Sequence, residues 1–110
     1  MQIAEAKKNG VMVVSVEGRV DASNAPVLEQ KLLALIAAGE KHLVIDCTQL
    51  EYVSSAGLRV LLVAAKRLSS DGKLGLAGLN NQIRDVFDIA GFSSIFQIYR
   101  TQDEAIAAVQ

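Results

Sequence analysis

An α/β domain around a mostly parallel sheet is the fold this sequence predicts, and three observations carry it. Asn9-Gly10 sits between two extended segments, and both residues tolerate the positive φ of a two-residue hairpin turn. Leu43–Cys47 is a short, continuous, apolar run of the kind found in central strands covered on both faces. From that run onward, extended and helical patterns alternate to the end of the chain, as in successive βα crossovers.

Each element can be justified in turn. Ile3–Lys8 reads as a short edge strand and Val11–Val20 as a longer one. In the second, Val11, Val13 and Ser15 share one face, and Met12, Val14 and Val16 the other, so part of it is expected to be buried on both sides. Gly18 is expected to break the run. Ser23 or Asn24 is then a candidate N-cap for a helix that carries Pro26 in its first turn, where proline is tolerated. Leu28, Leu32, Leu35 and Ile36 form its core-facing stripe, and Gly39 is a natural stop.

After the Leu43–Cys47 strand and the Thr48–Val53 connection, a second helix is expected from about Ser55 to Ser70. Leu58, Leu61, Leu62, Ala65 and Leu68 mark its buried face. Lys73–Leu79 reads as a strand. Asn80 is placed to cap a third helix with Ile83, Val86, Phe87 and Ala90 inward, and Ile95–Tyr99 forms a last strand. Thr101 to Glu104 has capping-box spacing and opens a helix through Val109. The expected order is ββαβαβαβα: an N-terminal antiparallel hairpin, a mostly parallel sheet and about four helices, as one domain over 1–110.

Composition narrows the function. The 110 residues are 51% hydrophobic, enough for a continuous core, with mean hydropathy +0.30. The formal net charge is -1, and no cluster of Lys or Arg offers a phosphate-backbone footprint, so nucleic acid is not an expected partner. The N-terminus has no apolar signal-peptide core, and the longest apolar run is too short to cross a bilayer, so no membrane insertion is expected. The single cysteine, Cys47, excludes an internal disulfide and suits a reducing compartment, hence a cytoplasmic setting.

In open α/β sheets, function gathers beyond the C-terminal strand ends. Here that edge comprises Arg19–Ser23, Asp46–Ser55, Leu79–Asn81 and Tyr99–Thr101, with Asp21, Asp46, Ser54 and Ser55 as its notable polar groups. A serine hydrolase would need a histidine beside the nucleophile. His42, the one histidine, begins the strand that ends before Ser55, roughly 16 Å away at the other end of the sheet. One Cys and one His cannot assemble a zinc site, the phosphate-loop pattern is absent, and no cofactor is expected. Asp46 lacks the acidic pair and late lysine of a phosphoaspartate site and reads as a loop-bonding residue. No catalytic role is therefore expected. Ser54 and Ser55 start a helix, where one serine is expected to cap and the other to be exposed among free N–H groups hospitable to phosphate.

The stretch DCTQLEYVSSAGLRVLL resembles the signature of the STAS domain of bacterial anti-sigma-factor antagonists. EGRVDASNAPVL resembles that family's segment before its first helix, and VFDIAGFSSIFQIY its third helix and last strand, so the likeness spans essentially the whole chain. The length matches a stand-alone antagonist. The resemblance implies a phosphoacceptor at Ser55, with Ser54 as the second candidate, and a partner-binding surface of Asp21, Ser54, Ser55, Ala56 and Gly57. Ser54 stands where the family has aspartate, and Ala56 where it has serine. The resemblance also implies the partners. These are an anti-sigma factor that is a serine kinase of the histidine-kinase ATPase class, released when Ser55 is phosphorylated, and a serine phosphatase that resets the switch. The alternative is a constitutive STAS subunit of a membrane lipid transporter complex.

Overall fold

The computed structural model describes every residue except Ser69. Among the described residues, six strands and four α-helices follow the order β1 (Gln2–Lys8), β2 (Val11–Val20), α1 (Ala25–Ala37), β3 (His42–Asp46), β4 (Leu50–Val53), α2 (Ser55–Arg67), β5 (Lys73–Ala77), α3 (Asn81–Ile89), a 3-10 turn (Phe92–Ser94), β6 (Gln97–Tyr99) and α4 (Gln102–Val109). This is the expected α/β fold with its N-terminal hairpin. Asn9 and Gly10 adopt φ of 53° and 80°, and the turn sets β1 against β2 in register from Lys8 with Val11 to Gln2 with Glu17. The sheet then runs β1-β2-β3-β5-β6, and every pairing after the first is parallel.

Helices lie on both faces, which explains why β2 is apolar on both sides. Val14 and Val16 pack with Leu28 and Leu32 of α1, Leu58 and Leu61 of α2, and Ile83 and Phe87 of α3. Val11 and Val13 face Ala105, Ile106 and Val109 of α4. Twenty-residue-scale runs of hydrophobics are not needed for this; no helix among the described residues is long and apolar enough to cross a membrane.

Several boundaries differ from expectation for local reasons. Gly18, at φ 88°, does not end β2 but forms an irregularity at which the strand changes partner. Met12–Ser15 pair with β3, whereas Gly18, Arg19 and Val20 pair with Leu50, Tyr52 and Val53 of β4, a strand absent from the expected order. Neither Ser23 nor Asn24 caps α1 through its side chain. Asn24 stands at the N-cap, but its Oδ1 accepts from the Asp21 N–H (2.9 Å) and its Nδ2 donates to the Arg19 carbonyl (3.0 Å). Helix α2 stops at Arg67 because Leu68 turns extended, with ψ 142°. The expected end at Ser70 spans Ser69, which lies outside the described residues.

Strand β5 ends at Ala77 because Gly78 swings to φ 75°. In α3 only Ile83 and Phe87 reach the core. Val86 is 41% exposed and Ala90 is also on the surface, since a nine-residue helix at the sheet edge buries a single i, i+4 stripe. Beyond α3, the 3-10 turn at Phe92–Ser94 leads into β6, which begins at Gln97 rather than at the expected Ile95, and Phe92 and Phe96 stack edge-on around Phe87 with centroids 6.1 Å from it.

Candidate functional site

The second half of β2 and the whole of β4 exist to bring two loops side by side. Val20 pairs with Val53, and the Val20 carbonyl accepts the Ser54 N–H at 2.9 Å. The chain leaving β2 at Asp21 and the chain leaving β4 at Ser54 therefore start from one pinned point. They run directly into α1 and α2. Of the four expected strand-end segments, these two are drawn together.

Their neighbours on the same edge are engaged in structural bonds. The Asp46 carboxylate accepts from the Thr48 N–H (3.0 Å), the Thr48 hydroxyl and Gln102 Nε2 (2.7 Å), which fits its reading as a loop-bonding residue. Asn80 Oδ1 accepts the Ile83 N–H at 2.8 Å to cap α3, and its Nδ2 donates to the Leu50 carbonyl. Thr101 Oγ1 accepts the Glu104 N–H to cap α4. His42 is distant from the site: it begins β3, half-buried, with Nδ1 2.5 Å from the Val109 carbonyl, so Nδ1 carries the proton. Burial pushes the Cys47 thiol up to about 12, which leaves a core side chain rather than a nucleophile.

The two serines have separate jobs. Ser54 is extended (φ −84°, ψ 174°) and half-buried, and its Oγ accepts the Gly57 N–H at 3.3 Å. Its carbonyl accepts the Leu58 N–H at 2.9 Å, the first bond of α2. Ser54 is the N-cap. Ser55 is the first helical residue and is exposed, beside the open N–H end of the helix. Ala56 is half-buried, with no hydroxyl of its own.

Gly57 is held to glycine by packing. A Cβ there would lie 2.6 Å from Val53 Cγ2 and 2.9 Å from Val20 Cγ1, so its absence lets the first turn of α2 sit directly on β4 and β2. Gly57 is buried and forms the floor of the site, not its surface.

Asp21 organises the facing loop. Its Oδ1 accepts from the Ser23 hydroxyl (2.6 Å) and the Ser23 N–H (3.0 Å). These bonds, the hydroxyl foremost, hold its carboxyl below the usual range, with Arg19 adding to the effect, so it is ionised at neutral pH. Arg19 in turn stacks on Tyr52 across the β2–β4 pair, 4.3 Å from the ring centroid. Between α1 and α2 lies a groove of about 190 Å³ whose walls are Ala22, Pro26 and Glu29 on one side and Ala56 and Arg59 on the other. Arg19 falls within the expected edge segment Arg19–Ser23, but its stacking on Tyr52 and this groove were not legible in the sequence, although Arg59 lies four residues after Ser55.

This arrangement has an exposed hydroxyl on an anion-friendly helix end, an ionised loop carboxylate and a shallow groove. It can accept a group and present a surface. Among the described residues, no three His, Cys, Asp or Glu side chains are grouped to hold a metal ion.

The profile of the STAS domain family matches residues 2–105. BtrV of Bordetella bronchiseptica, which is named as an anti-sigma factor antagonist, is 40% identical over 109 residues, covering 98% of this chain and 94% of that protein. The anti-sigma-F factor antagonist RsfB of Mycobacterium tuberculosis is 27% identical over 108 residues, covering 98% and 88%. The crystal structure of an anti-sigma factor antagonist from Mycobacterium paratuberculosis superposes with a TM-score of 0.93 at 32% identity, over 98% of this chain and 92% of that one.

Proposed function

The chain belongs to the STAS-domain family, and from that premise we propose that it is an anti-sigma-factor antagonist regulated by phosphorylation of Ser55. Unphosphorylated, it binds an anti-sigma factor that is also a serine kinase of the histidine-kinase ATPase class, and so releases that factor's target. Phosphate on Ser55 ends the binding, and a serine phosphatase restores it. The protein is a kinase substrate and binding module and carries out no chemistry itself. Asp21, Ser54, Ser55 and Ala56 lie in or beside the docking surface, and Gly57 supports it from below.

The observation that supports Ser55 over Ser54 is the division of labour at the start of α2. Ser54 Oγ is held by the Gly57 N–H, while Ser55 is exposed on the first turn, where a kinase cleft can reach it. A phosphate at Ser55 meets the positive end of α2, which is favourable by ~0.3–1 kcal/mol, so the fold tolerates it. The partner meets about -1.5 to -2 new charges at its docking face. A hundredfold loss of affinity requires only ~2.7 kcal/mol, well within reach of a charge set against an acidic or apolar contact.

The test is phosphorylation by the cognate kinase with ATP. Wild type and Ser54→Ala should be labelled and Ser55→Ala should not. Ser55→Asp should keep its circular dichroism spectrum while binding the kinase at least tenfold more weakly. Label that persists in Ser55→Ala and vanishes in Ser54→Ala would reassign the acceptor.

A further inference from the structure

Arg59 stands one helical turn beyond Ser55, and among the described residues it makes no hydrogen bond or ion pair. It is exposed and lines the groove between α1 and α2. The other arginine beside the site, Arg19, is already stacked on Tyr52. We propose that Arg59 is the internal counter-ion of phosphorylated Ser55, closing onto the phosphate from position i+4. The inference rests on Ser55 being the acceptor.

Three features point to it. Both residues are helical, Ser55 as the first residue of α2 and Arg59 as the fifth, so their side chains rise on the same face. An acid N-terminal to a base at this spacing is the more favourable order of the pair. A guanidinium matches a phosphate with two parallel N–H···O bonds, which a lysine does not reproduce. In the unphosphorylated protein the guanidinium has no competing ion pair among the described residues, although Glu29 lines the same groove.

The consequence is a switch with two parts. Phosphorylation adds negative charge at Ser55 and also withdraws the one guanidinium that projects into the α1–α2 groove, so a partner that uses Arg59 loses that contact together with access to Ser55. No atoms other than the phosphoryl group are transferred, and the pairing itself is non-covalent. The charged groups on the neighbouring elements are Glu29 and Lys31 on α1, Glu51 on β4, Glu17 and Arg19 on β2, and Asp21 in the loop between β2 and α1, with Lys31 paired to Glu5. All stay in place in the comparison below.

The test uses the full chain with phosphoserine incorporated at position 55 during synthesis, so that it does not depend on any kinase. The second ionisation of the phosphate is followed by phosphorus NMR at low ionic strength in wild type, Arg59→Gln and Arg59→Lys. The apparent pKa should rise by about 0.2–0.4 unit in Arg59→Gln, the size expected of an i, i+4 pair, with Arg59→Lys between the two. The gap between wild type and Arg59→Gln should shrink in 1 M salt. Identical titrations in wild type and Arg59→Gln overturn the proposal. Failure of the kinase to label Ser55 is a separate result and overturns the acceptor assignment on which it rests.

Discussion

Replacing Ser54 by alanine should cost about 1 kcal/mol of stability, and the same change at Ser55 almost none. Ser54 Oγ takes up the Gly57 N–H, one of the four donors that a helix start leaves unpaired, and removing such a cap costs ~0.5–2 kcal/mol. Two details locate the value within that range. The 3.3 Å separation is longer than the usual ~2.9–3.0 Å, which favours the lower half. Gly57 is buried, however, so its freed N–H cannot turn freely to water, which raises the cost. About 1 kcal/mol results. With an unfolding entropy of about 2.1 cal/mol/K per residue, that lowers Tm by ~4 °C in a chain of 110 residues. Ser55 makes no capping bond and is exposed, so Ser55→Ala should stay within ~0.5 kcal/mol of wild type. Ser54→Asp, which installs the residue more usual in the family's pattern, should also stay within ~0.5 kcal/mol, because aspartate caps as well as serine and complements the helix dipole. Urea unfolding followed by circular dichroism reads all three. Equal losses for Ser54→Ala and Ser55→Ala, or no loss for Ser54→Ala, would refute the division of labour between the two serines.

Two further outcomes follow from the same geometry. Gly57→Ala gains ~0.5–1 kcal/mol of helix preference but forces a methyl against Val53 and Val20, and overpacking of that kind costs ~1–3 kcal/mol. A net loss of about 0.5–2 kcal/mol is expected by urea unfolding, and a stabilised variant would show that α2 is not seated as described. Asp21→Asn should be less stable than wild type at neutral pH. The folded-state carboxyl sits below its ordinary 3.8, so its contribution is present above that value and fades as pH falls through the lower folded value. The two proteins should converge as acid protonates the carboxylate, and a difference that does not shrink as pH falls would contradict the role of the Ser23 bonds.

Much of the architecture was legible because local chemistry and global fold agree. Asn9-Gly10 can hardly do anything but turn, Asn80 and Thr101 cap the helices that follow them, and the Leu43–Cys47 run can be satisfied only with cover on both faces. What escaped was short or dependent on pairing. Leu50-Glu-Tyr-Val53 is four residues with no pattern of its own, and it becomes a strand only because Gly18 frees the end of β2 from β3. Val86 was assigned to the core from spacing, yet how wide a stripe a helix buries depends on what covers it.

While the family came from the resemblance of its motifs, the sequence by itself determined the fold class and the paired serines at a strand-to-helix junction. It did so because turn chemistry, capping residues and hydrophobic period are properties of a few neighbouring residues. It also led to the expectation that one serine caps and the other is exposed. Which one does so was decided by tertiary structure. The β2–β4 pairing fixes Ser54 through the Val20 carbonyl, and the valines beneath Gly57 set the depth at which α2 begins. With that depth fixed, Ser54 Oγ falls under the Gly57 N–H and Ser55 is left exposed at the surface. The placement of Arg59 over the α1–α2 groove likewise required two helices to meet, which spacing along one chain does not specify.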